Sequence, residues 1–201
     1  MKYSLSYTAA SLRIHDTILV AKAMIDGDNI FNSVDEEIGN GKSATGKRIR
    51  SELMKRLSNL TPEQLSYLKD ANLDDASKIA FLSICKTYDF IHQFVVEVLR
   101  EKMIQFDYTV TDGEYLSFFN RKAELHPELE EISDSTSYKI KQVLFKILEE
   151  AGIIDSTRAK TVQPQFLSSA VERLIRDDNE QLLRIFFYSD TDINTSPFLT
   201  Q

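Results

Sequence analysis

Cysteine, histidine, glycine and proline are all scarce in this 201-residue chain, and each shortage narrows what the protein can be. The single cysteine, Cys85, can form no internal disulfide. It lies in the apolar run IAFLSIC, where a small buried thiol is the ordinary reading and a reducing, cytoplasmic setting fits. The histidines His15, His92 and His126 stand far apart and have no cysteine beside them, so no metal site is expected. No run of 18 apolar residues occurs, and Arg13, His15 and Asp16 interrupt the N-terminal MKYSLSYTAASLRIHDTILVAKAMI. Neither a membrane span nor a signal peptide is expected. There is no G-x-S-x-G elbow and no nucleophile with an attendant base. The carboxylate pairs Asp74-Asp75, Glu130-Glu131 and Glu149-Glu150 are sequence neighbours, and neighbours on a helix diverge by about 100°. They read as solvated faces. No enzyme, cofactor or small-molecule substrate is expected.

What is present reads as helix after helix, because six glycines and four prolines leave little punctuation. The patterning predicts helices near 11–26, 46–58 and 62–70. A long buried helical stretch over 74–106, broken near 87–89, follows. Further helices are predicted at 114–122, at 136–151 and from Pro164 onward. Thr61, Pro62 and Gln64 carry a helix-start signature, and Gly27 and Gly152 look like helix stops. The expected fold is all-α: a multi-helix globular protein with two helix-turn-helix-like elements, the second compatible with a wing in the insert IIDSTRAKTVQPQ. A change of composition at Asp107–Asp112 suggests an N-terminal helical domain over 1–108 and a C-terminal, winged-helix-like domain over 109–201.

Charge is distributed unevenly. The formal total is -7, so any nucleic-acid contact must come from a local patch. One exists in GKSATGKRIRSELMKR: residues 42–56 hold six cations against one anion, Glu52. The start of this stretch resembles the G-x-x-x-x-G-K-[ST] phosphate loop, but Arg48 stands where a metal-binding hydroxyl belongs. The preceding FNSVDEEIGN also reads as an acidic helix, not a buried strand. A basic helix is the better reading. Ile49, Leu53, Leu57 and Leu60 share its apolar face, while Lys47, Ser51 and Lys55 lie opposite. Cations in a first turn oppose the helix dipole by about 0.3–1 kcal/mol each, a conflict that an external polyanion would relieve. The bland alternative is a solvated face, or one matched by the carboxylates of VDEEIG.

A second helix, in STSYKIKQVLFKILEEAGII, places Ile140, Val143, Leu144, Ile147 and Ala151 on a buried stripe. Tyr138, Gln142, Phe145 and Lys146 form an aromatic-basic ridge on the other side, flanked by Lys139 and Lys141, and its aromatics call for cover, by a neighbouring helix of this chain ahead of DNA or a partner protein. Ser135 or Asp134 can cap its start.

Four blocks, YSLSYTAASL, SATGKRIRSEL, STSYKIKQVLFKILEEAGII and LLRIFFYSD, together make the chain resemble the BrxA family, a small core component of bacteriophage-exclusion (BREX) defence systems. The resemblance implies an all-α protein that binds double-stranded DNA within a multi-protein complex of other BREX components. Carried onto this sequence, it implies DNA-facing positions at Lys42, Ser43, Thr45, Lys47, Arg48, Arg50 and Lys55. In the second block it implies Ser135, Thr136, Tyr138, Lys139 and Lys141. The rival expectation is a protein–protein adaptor of the same complex, docking through a ridge of Tyr138 and Phe145.

Overall fold

The computed structural model describes residues 2–27 and 31–195. A 3-10 turn at Ser6–Ala9 leads into α1 (Ile14–Asp26), α2 (Phe31–Ile38), α3 (Ser43–Leu57), α4 (Pro62–Asp70) and α5 (Leu73–Thr87). Tyr88 leaves the helical region, as the expected break near 87–89 requires. Then α6 (Asp89–Phe94), a π-helical stretch (Val95–Arg100) and α7 (Glu101–Ile104) continue with right-handed helical backbone through both junctions. The second half contains α8 (Asp112–Ala123), α9 (Pro127–Glu130), α10 (Asp134–Glu150), α11 (Ser169–Asn179), a 3-10 segment (Glu180–Phe186) and α12 (Asp190–Asn194). The fold is all-α, with no strand among the described residues. None of their helices is long and apolar enough to cross a membrane.

Local chemistry sets most of the boundaries. Thr61 with Gln64, Thr111 with Glu114 and Ser189 with Asp192 form reciprocal capping boxes, and Asn72, Ser133 and Ser168 also accept from first-turn amides. Such caps contribute about 1 kcal/mol each. Helix α3 has no side-chain cap and no acid in its first turn.

Two expectations need correction. The last long helix begins at Ser169, not at Pro164. Residues 164–168 are held extended instead, with the Gln165 amide donating to the carbonyls of Gly152 (2.8 Å) and Gln163 (2.9 Å). The cap of α10 is Ser133, not Ser135 or Asp134, because its hydroxyl accepts from the Thr136 amide at 3.3 Å. In the insert after α10, pairing is limited to single antiparallel bridges, Ile154–Val162 and Thr109–Thr161.

Helix α5 is central: Ile79, Phe81, Leu82, Ile84 and Cys85 are all buried. An aromatic cluster joins the following helix, α6, to the second half, with Phe94 edge-to-face against Phe118 (5.2 Å) and Phe145 (5.9 Å). Phe90 meets Phe118 at 5.3 Å. Pairs of this kind contribute about 0.5–1.5 kcal/mol beyond the area they bury. The N-terminal segment is part of this core. Tyr3 donates to Gln93 (2.5 Å) and stacks on His126, and the Tyr7 hydroxyl reaches the Ile140 carbonyl at 3.4 Å.

Candidate nucleic-acid interface

Helices α2 and α3 form a tight hairpin. Asn40 and Gly41 turn the chain with positive φ (48° and 80°). A methyl group on Gly46 would lie 1.8 Å from the Asp35 carbonyl oxygen, so only glycine permits this crossing. The close approach sets the position of Asp35, whose buried carboxylate takes Arg50 Nε at 2.7 Å and a second guanidinium nitrogen at 3.3 Å. Arg50 also lies over the Phe31 ring, 4.6 Å from its centroid. The matched-face alternative raised by VDEEIG is therefore true of this residue, and Arg50 does not stand ready for DNA.

Arg56 is withdrawn more completely. Its buried guanidinium pairs with Glu52 at 2.8 Å and donates to the carbonyls of Ser11 (2.7 Å) and Ala10 (2.6 Å). It holds the N-terminal segment onto α3. Tyr88 also donates to Glu52, and burial together with that bond pushes its hydroxyl up to about 12. Lys55 is solvent-exposed, yet its ammonium contacts the hydroxyls of Ser4 and Ser6, each at 3.0 Å, above the Tyr88 ring.

Three cations remain. Lys42, Lys47 and Arg48 are exposed and make no ion pair with any described residue. Ser43 and Thr45 are exposed in the same first turn. Here the dipole conflict is uncompensated: the positive end of α3 has neither a capping side chain nor an acid, and it carries unpaired positive charge.

The second block differs. Ser135, Thr136 and Lys139 are exposed, and Tyr138 is 68% exposed. Phe145, beside Tyr138 on the ridge by helical spacing, is buried against Phe94 and Tyr115, the cover from within the chain that its position called for. A helix of this chain covers it, so Tyr138 stands alone. Lys141 is half-buried and reaches Asp112 at 3.0 Å. Beside α10 runs a groove of about 670 Å³ whose cationic lining is Arg13, Lys139, Lys141, Lys146 and Lys160, with Tyr138 among them. Arg13 pairs with Asp16, Lys146 with Glu149 (2.7 Å) and Lys160 with Asp112 (2.7 Å). The two lysines hold the Asp112 carboxyl below its usual range.

Arg13 and Lys160 escaped the sequence reading. Both enter the groove from irregular backbone with positive φ (49° and 55°), where no periodicity signals a shared face. The groove adjoins the α3 start. A shallower depression lined by Ala44, Thr45, Arg48 and Ile49 shares Ala9 with it, because the Ser6–Ala9 turn packs against both α3 and α10. The two cationic blocks thus border one another. Elsewhere, burial pushes the Cys85 thiol up and the His92 imidazole down. Among the described residues no group of three or more His, Cys, Asp or Glu is placed to hold a metal.

Comparison with known proteins agrees with this architecture. A Bacillus cereus protein named BREX protein BrxA is 30% identical over 112 residues, covering 56% of this chain and 56% of that protein. An Escherichia coli O9:H4 protein of the same name is 24% identical, covering 68% of this chain and 64% of that protein. The match thus spans just over half to two thirds of those relatives. A Paramagnetospirillum magneticum BREX protein BrxA aligns at 21% identity over 90% of this chain and 93% of its own length. The crystal structure of an uncharacterized protein from Magnetospirillum magneticum superposes with a TM-score of 0.79 at 20% identity, covering 92% of this chain and 98% of that one. At that identity the likeness establishes the fold. The profile of the BrxA family matches residues 1–179, and the chain belongs to that family.

Proposed function

We propose that this chain is a non-enzymatic, cytoplasmic component of a BREX phage-defence system that binds double-stranded DNA, mainly through phosphates. The observation that carries the reading is the start of α3. Lys42, Lys47 and Arg48 have no counter-ion there among the described residues, on a surface continuous through Ala9 with the α10 groove. Ser43 and Thr45 add hydroxyl donors at the same turn. Ser135, Thr136, Tyr138 and Lys139 extend the contact along α10. In this reading the α2–α3 hairpin is the first helix-turn-helix-like element, and α10 with its bridged loop is the second, winged one. Arg50 and Lys55 act from behind, fixing α3 against α2 and the N-terminal segment. Phosphate contacts position a duplex without reading its sequence, so discrimination between sequences is weak.

The test is a salt titration of duplex binding. Each phosphate neutralised contributes about 0.9 to the slope of log affinity against log salt. The double variant Lys47→Ala/Arg48→Ala should flatten that slope by about 1.8. An unchanged slope removes these residues from the interface.

A second reading, a protein–protein adaptor to other BREX components, is favoured by exposed apolar side chains away from the basic surface. Phe106, Leu125 and Phe166 are 80%, 75% and 78% exposed. Co-purification of a BREX component, together with no duplex shift even at low salt, would decide for the adaptor.

A further inference from the structure

Two lysines in the α10 groove converge on one oxygen. Lys141 Nζ lies 3.0 Å and Lys160 Nζ 2.7 Å from Oδ1 of Asp112. Neither ammonium is loosely placed. Lys141 sits over the ring of Tyr115 (5.5 Å) and Lys160 over that of Phe145 (5.3 Å), and both rings are buried. Aromatic faces attract cations, so these two shelves hold the ammoniums in place independently of the carboxylate. The carboxylate is the more accessible partner: the Asp112 side chain is 64% exposed while those of Lys141 and Lys160 are 28% and 17% exposed. All three residues line the groove that adjoins the α3 start.

We propose that Lys141 and Lys160 form a phosphodiester subsite held closed by Asp112, whose carboxylate occupies the place of a phosphate oxygen. The inference rests on the DNA-binding reading and adds a gate to it. With Asp112 in place the two ammoniums and the carboxylate offer a net charge of about +1 to a polyanion instead of +2. When the carboxylate is displaced or neutralised, two pre-positioned ammoniums become available beside Lys139 and Tyr138. Asp112 therefore lowers affinity for duplex, and the wild-type salt slope under-counts the cations in the groove.

The experiment compares wild type, Asp112→Asn and Lys141→Gln/Lys160→Gln, alone and combined with Asp112→Asn, by salt-dependent binding to a short mixed-sequence duplex. Thermal melts check that each variant is folded. Asp112→Asn should steepen the slope by about 1–2 and tighten binding about tenfold at low salt. The lysine double variant should weaken binding alone, since it leaves the Asp112 carboxylate unbalanced in the groove, and should cancel the whole gain in the Asp112→Asn background. Wild-type binding that Asp112→Asn leaves unaltered in slope and affinity overturns the gate and leaves the DNA reading standing. A gain that survives loss of both lysines also overturns it, since general charge then explains the effect. If neither wild type nor Asp112→Asn binds duplex at low salt, both readings fall.

Discussion

The starts of α3 and α10 are two basic helix beginnings built on opposite principles. Helix α10 obeys the rules for a stable start: Ser133 caps it, Asp134 stands in its first turn, and Lys141 has a carboxylate partner. Helix α3 breaks them, having no side-chain cap, no first-turn acid and three cations that make no ion pair among the described residues. One turn further along, the same helix becomes heavily compensated, with Arg50 on Asp35 and Arg56 on Glu52. Within a single helix, then, cations divide into those that hold the fold and those that stand outside it. Position relative to α2 and the N-terminal segment decides which is which.

The contrast breaks most sharply at Arg56. Replacing it with alanine leaves Glu52 buried without its partner and frees three carbonyls of the N-terminal segment. A loss of about 3–5 kcal/mol is expected, read from the urea midpoint. Lys47→Ala, one helical face away, should shift the same midpoint by less than about 0.5 kcal/mol. Similar losses in both variants would mean that the division between structural and outward cations is wrong.

A smaller and opposite pair of changes sharpens the comparison. Ser133→Ala removes the α10 cap and should cost about 1 kcal/mol. Lys42→Asp supplies α3 with the cap and the negative charge it lacks, and should add about 1 kcal/mol while weakening duplex binding. If Lys42→Asp destabilises the protein, the α3 start is not the compromise described.

The smallest expected effect is on pH. Lys102 beside Asp107, Lys160 beside Asp112 and Lys146 beside Glu149 hold those carboxyls below their ordinary values. Groups depressed in the folded state contribute stability that is present above their unfolded values, about pH 4, and lost as pH falls through the folded ones. Urea midpoints should therefore fall below about pH 4, and by less in Asp112→Asn. Equal losses in both proteins would separate Asp112 from this linkage.

The start of α4 was legible because its cap is local: Thr61 with Gln64 can be read from four consecutive residues. The buried stripe Ile49, Leu53, Leu57 was legible from its period of 3.6, and so was the basic surplus of residues 42–56. Phe145 was legible only in part. Helical spacing placed it beside Tyr138 and in need of cover, but not under α6 and α8, which bring Phe94 and Tyr115 against it. The groove cations Arg13 and Lys160 were equally invisible, coming from loops distant in sequence.

By itself, the sequence determined the helices, their caps, the apolar stripes and where positive charge is concentrated, since all of these depend on residues within a turn or two of one another. Tertiary structure alone decided which cations are held by groups distant in the chain and which meet water. That choice depends on contacts such as Asp35 with Arg50, Ser11 with Arg56 and Asp112 with Lys160. Their partners lie 15, 45 and 48 positions apart, beyond the reach of any local pattern.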